Sequence, residues 1–201
     1  MRKVEGWFGT VPIKDTMDRK PYLHYLEQWT QNAYIWRAQV ILADPPWHFR
    51  NYSADAPGMV HNRSRGAARH YPTMTTEDIG RLVPPSDQNA VLFMWATWPH
   101  MRDALQVIEA WGFSYVTNAW TWIKQNRRGF GFFMGNGYYT RANSEPCLLA
   151  VKGRMPVATH DVLALIMSPV RKHSQKPDEQ YQKIERLYPS ALYPHRLEMF
   201  S

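Results

Sequence analysis

The stretch QVILADPPW, residues 39–47, carries the clearest structural signal in this 201-residue sequence. After Gln39 the run is apolar up to Ala43, which is typical of a strand buried on both faces. Asp44 ends the run, and the two prolines that follow cannot continue the interior of a sheet. The stretch therefore predicts a buried strand that brings a carboxylate and the indole of Trp47 to one edge of a sheet.

Further strands and helices are predicted on both sides of this strand. Short apolar runs predict strands at 90–95, 113–123, 146–151 and 197–200, and helical spacing predicts helices at 22–36, 101–111 and 177–187, while 162–167 fits either. Alternating strands and helices indicate an α/β fold with a mostly parallel, Rossmann-like sheet flanked by helices. We expect an N-terminal appendage over 1–37 and one domain over 38–201. In such sheets ligands bind beyond the carboxyl ends of the strands.

The composition excludes several classes of protein. Apolar residues make up 44% of the chain, which excludes global disorder, and the single cysteine excludes a disulfide framework or a cysteine-rich zinc site. The eight histidines lack paired-ligand spacing, so no metal site is predicted. The longest uncharged apolar run, 90–98, is too short to span a bilayer, and no signal peptide is visible. We expect a soluble protein of a reducing compartment.

The net charge of +7 is concentrated in three segments. Residues 45–76 hold four arginines against one aspartate, and residues 119–143 and 168–177 hold basic residues and no acid. Any one of these segments fits a solvated loop equally well, but three in one domain favour an anionic partner, with aromatic rings among them on which bases can stack. The predicted contacts to a nucleic-acid backbone are Arg50, Arg63, Arg65, Arg69, Lys124, Arg127, Arg128 and Arg141.

The tetrad Asp-Pro-Pro-Trp at 44–47 is followed along the chain by several further motifs. An isolated Asp-Pro-Pro is ordinarily a turn that ends a strand, but here it is followed by HYPTM (70–74), LFMW (92–95), SEPCLLAVKG (144–153), KPDE (176–179) and IERL (184–187). Together these motifs resemble the DPPW-signature adenine methyltransferases over residues 38–200. That family includes the eukaryotic messenger-RNA adenosine methyltransferase and DNA relatives from bacteria and phages.

The resemblance implies a reaction and a set of site residues. A methyl group passes from S-adenosylmethionine to the exocyclic 6-amino group of adenine, with Asp44, Pro45, Pro46 and Trp47 as the catalytic tetrad. Asp44 and the carbonyl of Pro45 accept hydrogen bonds from the two amine N–H groups and so orient the nitrogen lone pair. Trp47 and Tyr71 stack on the target base, which in duplex DNA must first be flipped out. Asp44 also lies near the amino group of the cofactor, and Lys176 pairs with its methionine carboxylate.

Several alternatives remain open at this point. The compact motifs favour a DNA enzyme in the cytoplasm of a bacterium or phage-infected cell; the alternatives are an RNA adenosine methyltransferase and a non-catalytic nucleic-acid-binding subunit. The partner protein is either a second methyltransferase-like chain or, in a homodimer, a second copy of this chain. No association with a membrane is expected. Glu145 fits a family acid or a structural partner of a cation equally well. Because the chain stops at Ser201, where relatives continue into a cofactor-binding segment, we expect weak cofactor affinity.

Overall fold

The described strands of the protein form one sheet. The structure is a computed structural model, and it describes residues 8–11, 37–48, 73–135, 137, 139–172 and 174–200. The spatial order is β1-β7-β2-β3-β5-β4-β6. Every described pair is parallel except the two made by β5, so β5 runs against the other six. The strands are β1 (Phe8–Val11), β2 (Ala38–Ala43), β3 (Ser86–Trp95), β4 (Ser114–Gln125), β5 (Ser144–Lys152), β6 (Leu165–Pro169) and β7 (Arg196–Met199).

Three described α-helices accompany the sheet: α1 (Thr76–Arg81), α2 (Met101–Ala110) and α3 (Glu179–Leu187). The hydroxyl of Thr75 caps α1 by accepting a hydrogen bond from the Asp78 amide at 3.1 Å. A single 3₁₀ turn over Trp98–His100 leads from β3 into α2. None of these helices, the longest of which has ten residues, has the length and apolar character needed to cross a membrane.

The sheet is covered on both faces, which explains its continuous apolar strands. On one face α1 and α2 pack through Ile79, Val107 and Ile108 against residues such as Leu92 and Leu148. On the other face Ile184 of α3 and the following Tyr188 pack against Val40, Phe93 and Trp120. Both core clusters run to the edge of the sheet at which β2, β3 and β4 end.

The fold class predicted from the sequence is confirmed: a mostly parallel α/β sheet with helices on both faces. The ambiguous run at 162–167 forms the edge strand β6 from residue 165. The sequence did not predict α1 or β1, and β1, which lies within the expected appendage, pairs parallel with β7. The predicted helix at 22–36 lies outside the described residues.

Candidate active site

Charged side chains from four parts of the chain meet at the carboxyl edge of the sheet. Asp44 follows β2 directly, and Lys124 is the penultimate residue of β4. Because β5 runs in the opposite direction, its second residue, Glu145, lies at the same edge. Lys176 precedes α3 and reaches this point from 132 residues beyond Asp44.

The backbone fixes the turn after β2 at several points. The amide of Asp44 donates to the carbonyl of Met199 at 3.1 Å, and the amide of Trp47 donates to the carbonyl of Pro45 at 2.9 Å. The carbonyl of Pro46 accepts from the amide of Met74 at 2.9 Å. Both prolines are buried. Asp44 is thus presented from a rigid turn, and the Pro45 carbonyl, which has two lone pairs, uses one of them within the chain.

Lys176 lies between two carboxylates. Its Nζ is 2.8 Å from Asp44 Oδ1 and 3.4 Å from Glu145 Oε2. The side chains of Lys176, Asp44 and Glu145 are 12%, 17% and 16% exposed, so water screens these pairs only weakly. The other oxygen of Glu145, Oε1, accepts a hydrogen bond from Lys124. The result is an alternating row of charges, Asp44–Lys176–Glu145–Lys124, that we call the charge row.

Ring faces and burial complete the electrostatics of the charge row. The Lys176 ammonium lies 5.5 Å from the centroid of the Trp95 ring, and that of Lys124 lies 5.1 Å from Trp122. Burial alone would raise the pKa of Glu145, but the two neighbouring lysines outweigh it and lower that pKa below its ordinary value. Burial raises the pKa of the Cys147 thiol well above its ordinary range, so this thiol is not an activated nucleophile.

Trp47 lies in the core. The sequence predicted it as a stacking ring for a base, yet its residue is 5% exposed, and its ring stacks on His100 at a centroid distance of 6.0 Å. Its indole nitrogen donates to the carbonyl of Trp95 at 3.1 Å. In this structure Trp47 ties the turn after β2 to the end of β3, because the apolar indole is buried where the two strands meet.

His48 and Thr73, the described residues on either side of the undescribed segment 49–72, lie close together after this turn. The ring nitrogen Nδ1 of His48 is 2.8 Å from the hydroxyl of Thr73, and Trp47 and Met74 form a parallel bridge. The predicted site residues Arg50, Arg63, Arg65, Arg69 and Tyr71 fall within that segment, so the structure does not describe their positions.

The loop between β4 and β5 presents the remaining predicted basic residues. Arg127, Arg128 and Arg141 are exposed there, beside the exposed rings of Phe130 and Tyr139. Lys124, which was predicted among the phosphate contacts, is not exposed in the same way. Its side chain is 16% exposed and pairs with Glu145, because the pleat of β4 turns it onto the face of the sheet that α3 covers.

Two tryptophans near the end of β3 were not among the predicted site residues. Trp95 Nε1 donates to Gln180 Oε1 at 2.7 Å, which joins the end of β3 to α3. Trp98 is 53% exposed, and its indole donates to the hydroxyl of Ser144 at 3.0 Å. Two sequence signals could have marked them: Trp95 belongs to the LFMW motif, and both tryptophans lie at or just after the end of a predicted strand.

Comparisons with known proteins agree with this architecture. The profile of the family described as MT-A70 matches residues 38–201. A type II methyltransferase, M.MunI from Mycoplasma sp, is 28% identical over 81% of this chain and 71% of its own length. An N(6)-adenosine-methyltransferase MT-A70-like protein of Arabidopsis thaliana is 30% identical over 81% of this chain and 21% of its own length.

A human relative extends the same pattern. The N(6)-adenosine-methyltransferase catalytic subunit METTL3 is 30% identical over 80% of this chain and 25% of its own length. The chain thus spans most of the length of the type II methyltransferase and a quarter or less of the length of these two adenosine methyltransferases.

Proposed function

This chain belongs to the MT-A70 family, whose relatives include N6-adenosine methyltransferases, and we propose from that premise that it methylates the 6-amino group of adenine in DNA. The observation that carries the proposal is the contact of 2.8 Å between Lys176 and Asp44 beside the Pro45-Pro46 turn. It places a carboxylate and a cation together at the edge of the sheet where ligands bind.

The residues of the charge row fit S-adenosylmethionine as the methyl donor. Its methionine end carries an ammonium and a carboxylate, and binding both requires an anion and a cation at one place. Asp44 and Lys176 meet that requirement, since they come from distant parts of the chain to within hydrogen-bond distance. When bound, S-adenosylmethionine supplies an electrophilic methyl group on a sulfonium sulfur.

The chain itself would orient the acceptor nitrogen. The lone pair of an aromatic amine is delocalised into the ring, so the amine is a poor nucleophile until hydrogen bonds fix its geometry. Asp44 would accept a hydrogen bond from one amine N–H, and the second lone pair of the Pro45 carbonyl would accept one from the other N–H. As the new bond forms, positive charge develops on nitrogen, and the Asp44 carboxylate stabilises it. The same carboxylate would then accept the one proton that the methylated product loses.

One observation favours DNA over RNA as the substrate: the compact motifs of the chain resemble those of the bacterial and phage DNA members of the family. The exposed arginines and rings of the β4–β5 loop provide a basic, aromatic surface of the kind that binds nucleic acid.

The test is to identify the methylated nucleoside. The purified chain is incubated with S-adenosylmethionine carrying a labelled methyl group and with DNA or RNA of matched sequence, and the products are digested and separated by mass spectrometry. We expect labelled N6-methyl-2′-deoxyadenosine from DNA. Label confined to RNA would replace DNA by RNA as the substrate, and absence of label from both would favour the non-catalytic subunit.

A further inference from the structure

Glu145 lies at the carboxyl edge of the sheet, on the face that α3 covers. In the β4–β5 pairing it lies opposite Trp122, and Lys124 is two residues further along β4 on the same face. Cys147, also on this face, lies opposite Trp95, over whose ring the Lys176 ammonium is placed. The strand register therefore sets Glu145 between the two lysines.

The distances within the charge row are unequal. Lys176 Nζ is 2.8 Å from Asp44 and 3.4 Å from Glu145, so its shorter contact is to Asp44. Glu145 is itself shared, because Lys124 holds its other oxygen. Because Lys124 already offsets the negative charge of Glu145, Glu145 attracts the Lys176 ammonium less strongly than it would without Lys124.

We propose that Lys124 is a positioning residue, which occupies Glu145 and thereby keeps Lys176 at Asp44, in place for the anionic end of the cofactor. This inference rests on the proposed function for the identity of the cofactor. Without the Lys124 charge, Glu145 would have Lys176 as its remaining cation within this row. The Lys176 ammonium would then move towards β5 and away from Asp44.

The alternative role for Lys124 is the direct phosphate contact that its basic segment suggested. Two observations argue against it: its side chain is 16% exposed, and its ammonium is engaged by Glu145 and the Trp122 ring. The exposed Arg127 and Arg128, three and four residues further on, are better placed to meet a phosphate. The two roles predict different responses to a change at Glu145.

The experiment is calorimetric titration of S-adenosylmethionine into the purified chain and its variants, without nucleic acid. We expect Lys124→Met to weaken binding roughly tenfold, the scale of one charge-assisted hydrogen bond. Lys124→Arg keeps the charge and should keep the affinity. Lys152→Met is the matched control: Lys152 is on the same strand as Glu145, but its ammonium contacts Ser86 at the other end of the sheet.

The double variant Lys124→Met with Glu145→Gln separates positioning from a direct effect. With Glu145 neutral, loss of Lys124 should change affinity no further than Glu145→Gln does alone. Equal affinity of wild type and Lys124→Met, or an undiminished effect in the Glu145→Gln background, would overturn the proposal.

A crystal structure of Lys124→Met gives a readout that needs no cofactor. We expect Lys176 Nζ to contact Glu145 and to leave Asp44, and an unchanged Lys176–Asp44 contact would contradict the proposal. Failure of the proposed function is distinguishable: the wild-type chain would then leave nucleic acid unmethylated, whatever the calorimetric titration and the crystal structure of Lys124→Met show.

Discussion

Asp44→Asn tests the centre of the site, because it removes one charge and keeps the shape of the side chain. Loss of a group that stabilises charge in a transition state lowers kcat by roughly 10²–10³. We therefore expect the single-turnover rate of methyl transfer to adenine in DNA to fall by about that factor. The assay is rapid-quench transfer of labelled methyl at saturating S-adenosylmethionine.

The same substitution has a stability cost that the structure bounds. Removing one partner of a buried pair costs about 3–5 kcal/mol when the remaining charge has no other partner. Here Lys176 keeps Glu145 at 3.4 Å and is itself 12% exposed, so we expect the smaller cost of about 1–2 kcal/mol. For a chain of this length that lowers Tm by about 2–8 °C.

Asp161→Asn is the matched control for Asp44→Asn. Asp161 also pairs with a cation, Arg186 at 2.7 Å, but its side chain is 67% exposed and it follows no strand of the site. We expect neither rate nor Tm to change in this variant. If Asp44→Asn keeps more than about a tenth of the wild-type rate, the role assigned to Asp44 is wrong.

Three further predictions concern the charge row, the sheet and the loop. The pKa of Glu145 is lowered in the folded state, so ionised Glu145 stabilises the fold at pH values above 4.5, its ordinary pKa. That contribution is lost as the pH falls below 4.5 and through the lowered pKa of the folded state. Urea unfolding of Glu145→Gln should therefore show a flatter pH dependence between about pH 3 and 6 than wild type. Gly153 has φ +63°, and a β-carbon there would collide with Asn89 and with the carbonyl of Gln88, so Gly153→Ala should cost about 1–3 kcal/mol by chemical unfolding, more than Gly129→Ala, whose β-carbon would meet nothing within 4 Å. The exposed arginines of the β4–β5 loop are Arg127, Arg128 and Arg141. Alanine at all three should reduce the slope of log K for duplex DNA binding against log salt concentration by about 2–3 units, measured by fluorescence anisotropy. The control variant Arg81→Ala should leave this slope unchanged.

Each of these has a result that contradicts it. Parallel pH profiles for Glu145→Gln and wild type would show that the lysines do not stabilise the ionised carboxylate in the fold. Equal costs at the two glycines would mean that the contacts around Gly153 relax freely. An unchanged salt slope would contradict the proposed contact of the loop arginines with DNA.

The strands were predictable because burial on both faces leaves a continuous apolar run. Residues 39–43 and 90–95 fall inside β2 and β3, and 146–151 falls inside β5. The direction of β5 was not predictable from its residues, since a two-sided apolar strand has the same pattern in either direction. Only the pairing with β3 and β4 reveals that it runs against both.

The site was predictable only where a motif marked it. Asp44 and Lys176 came from motifs shared with a known family, and the structure places their side chains 2.8 Å apart. No local pattern marks Lys124 as the partner of Glu145, because the contact depends on the β4–β5 register. Trp47 illustrates the opposite limit: its residue type fits base stacking, but its burial against His100 is a tertiary property.

The antiparallel β5 also makes the β4–β5 connection a hairpin with a closed base. The amide of Lys124 donates to the carbonyl of Asn143 at 2.8 Å, and the amide of Phe133 donates to the carbonyl of Lys124 at 2.9 Å. The entropy cost of a flexible loop rises by only about 0.6 kcal/mol for each doubling of its length. This hairpin is therefore an insertion point at which evolution, or a protein engineer, can exchange one loop sequence for another while the sheet beneath keeps its geometry.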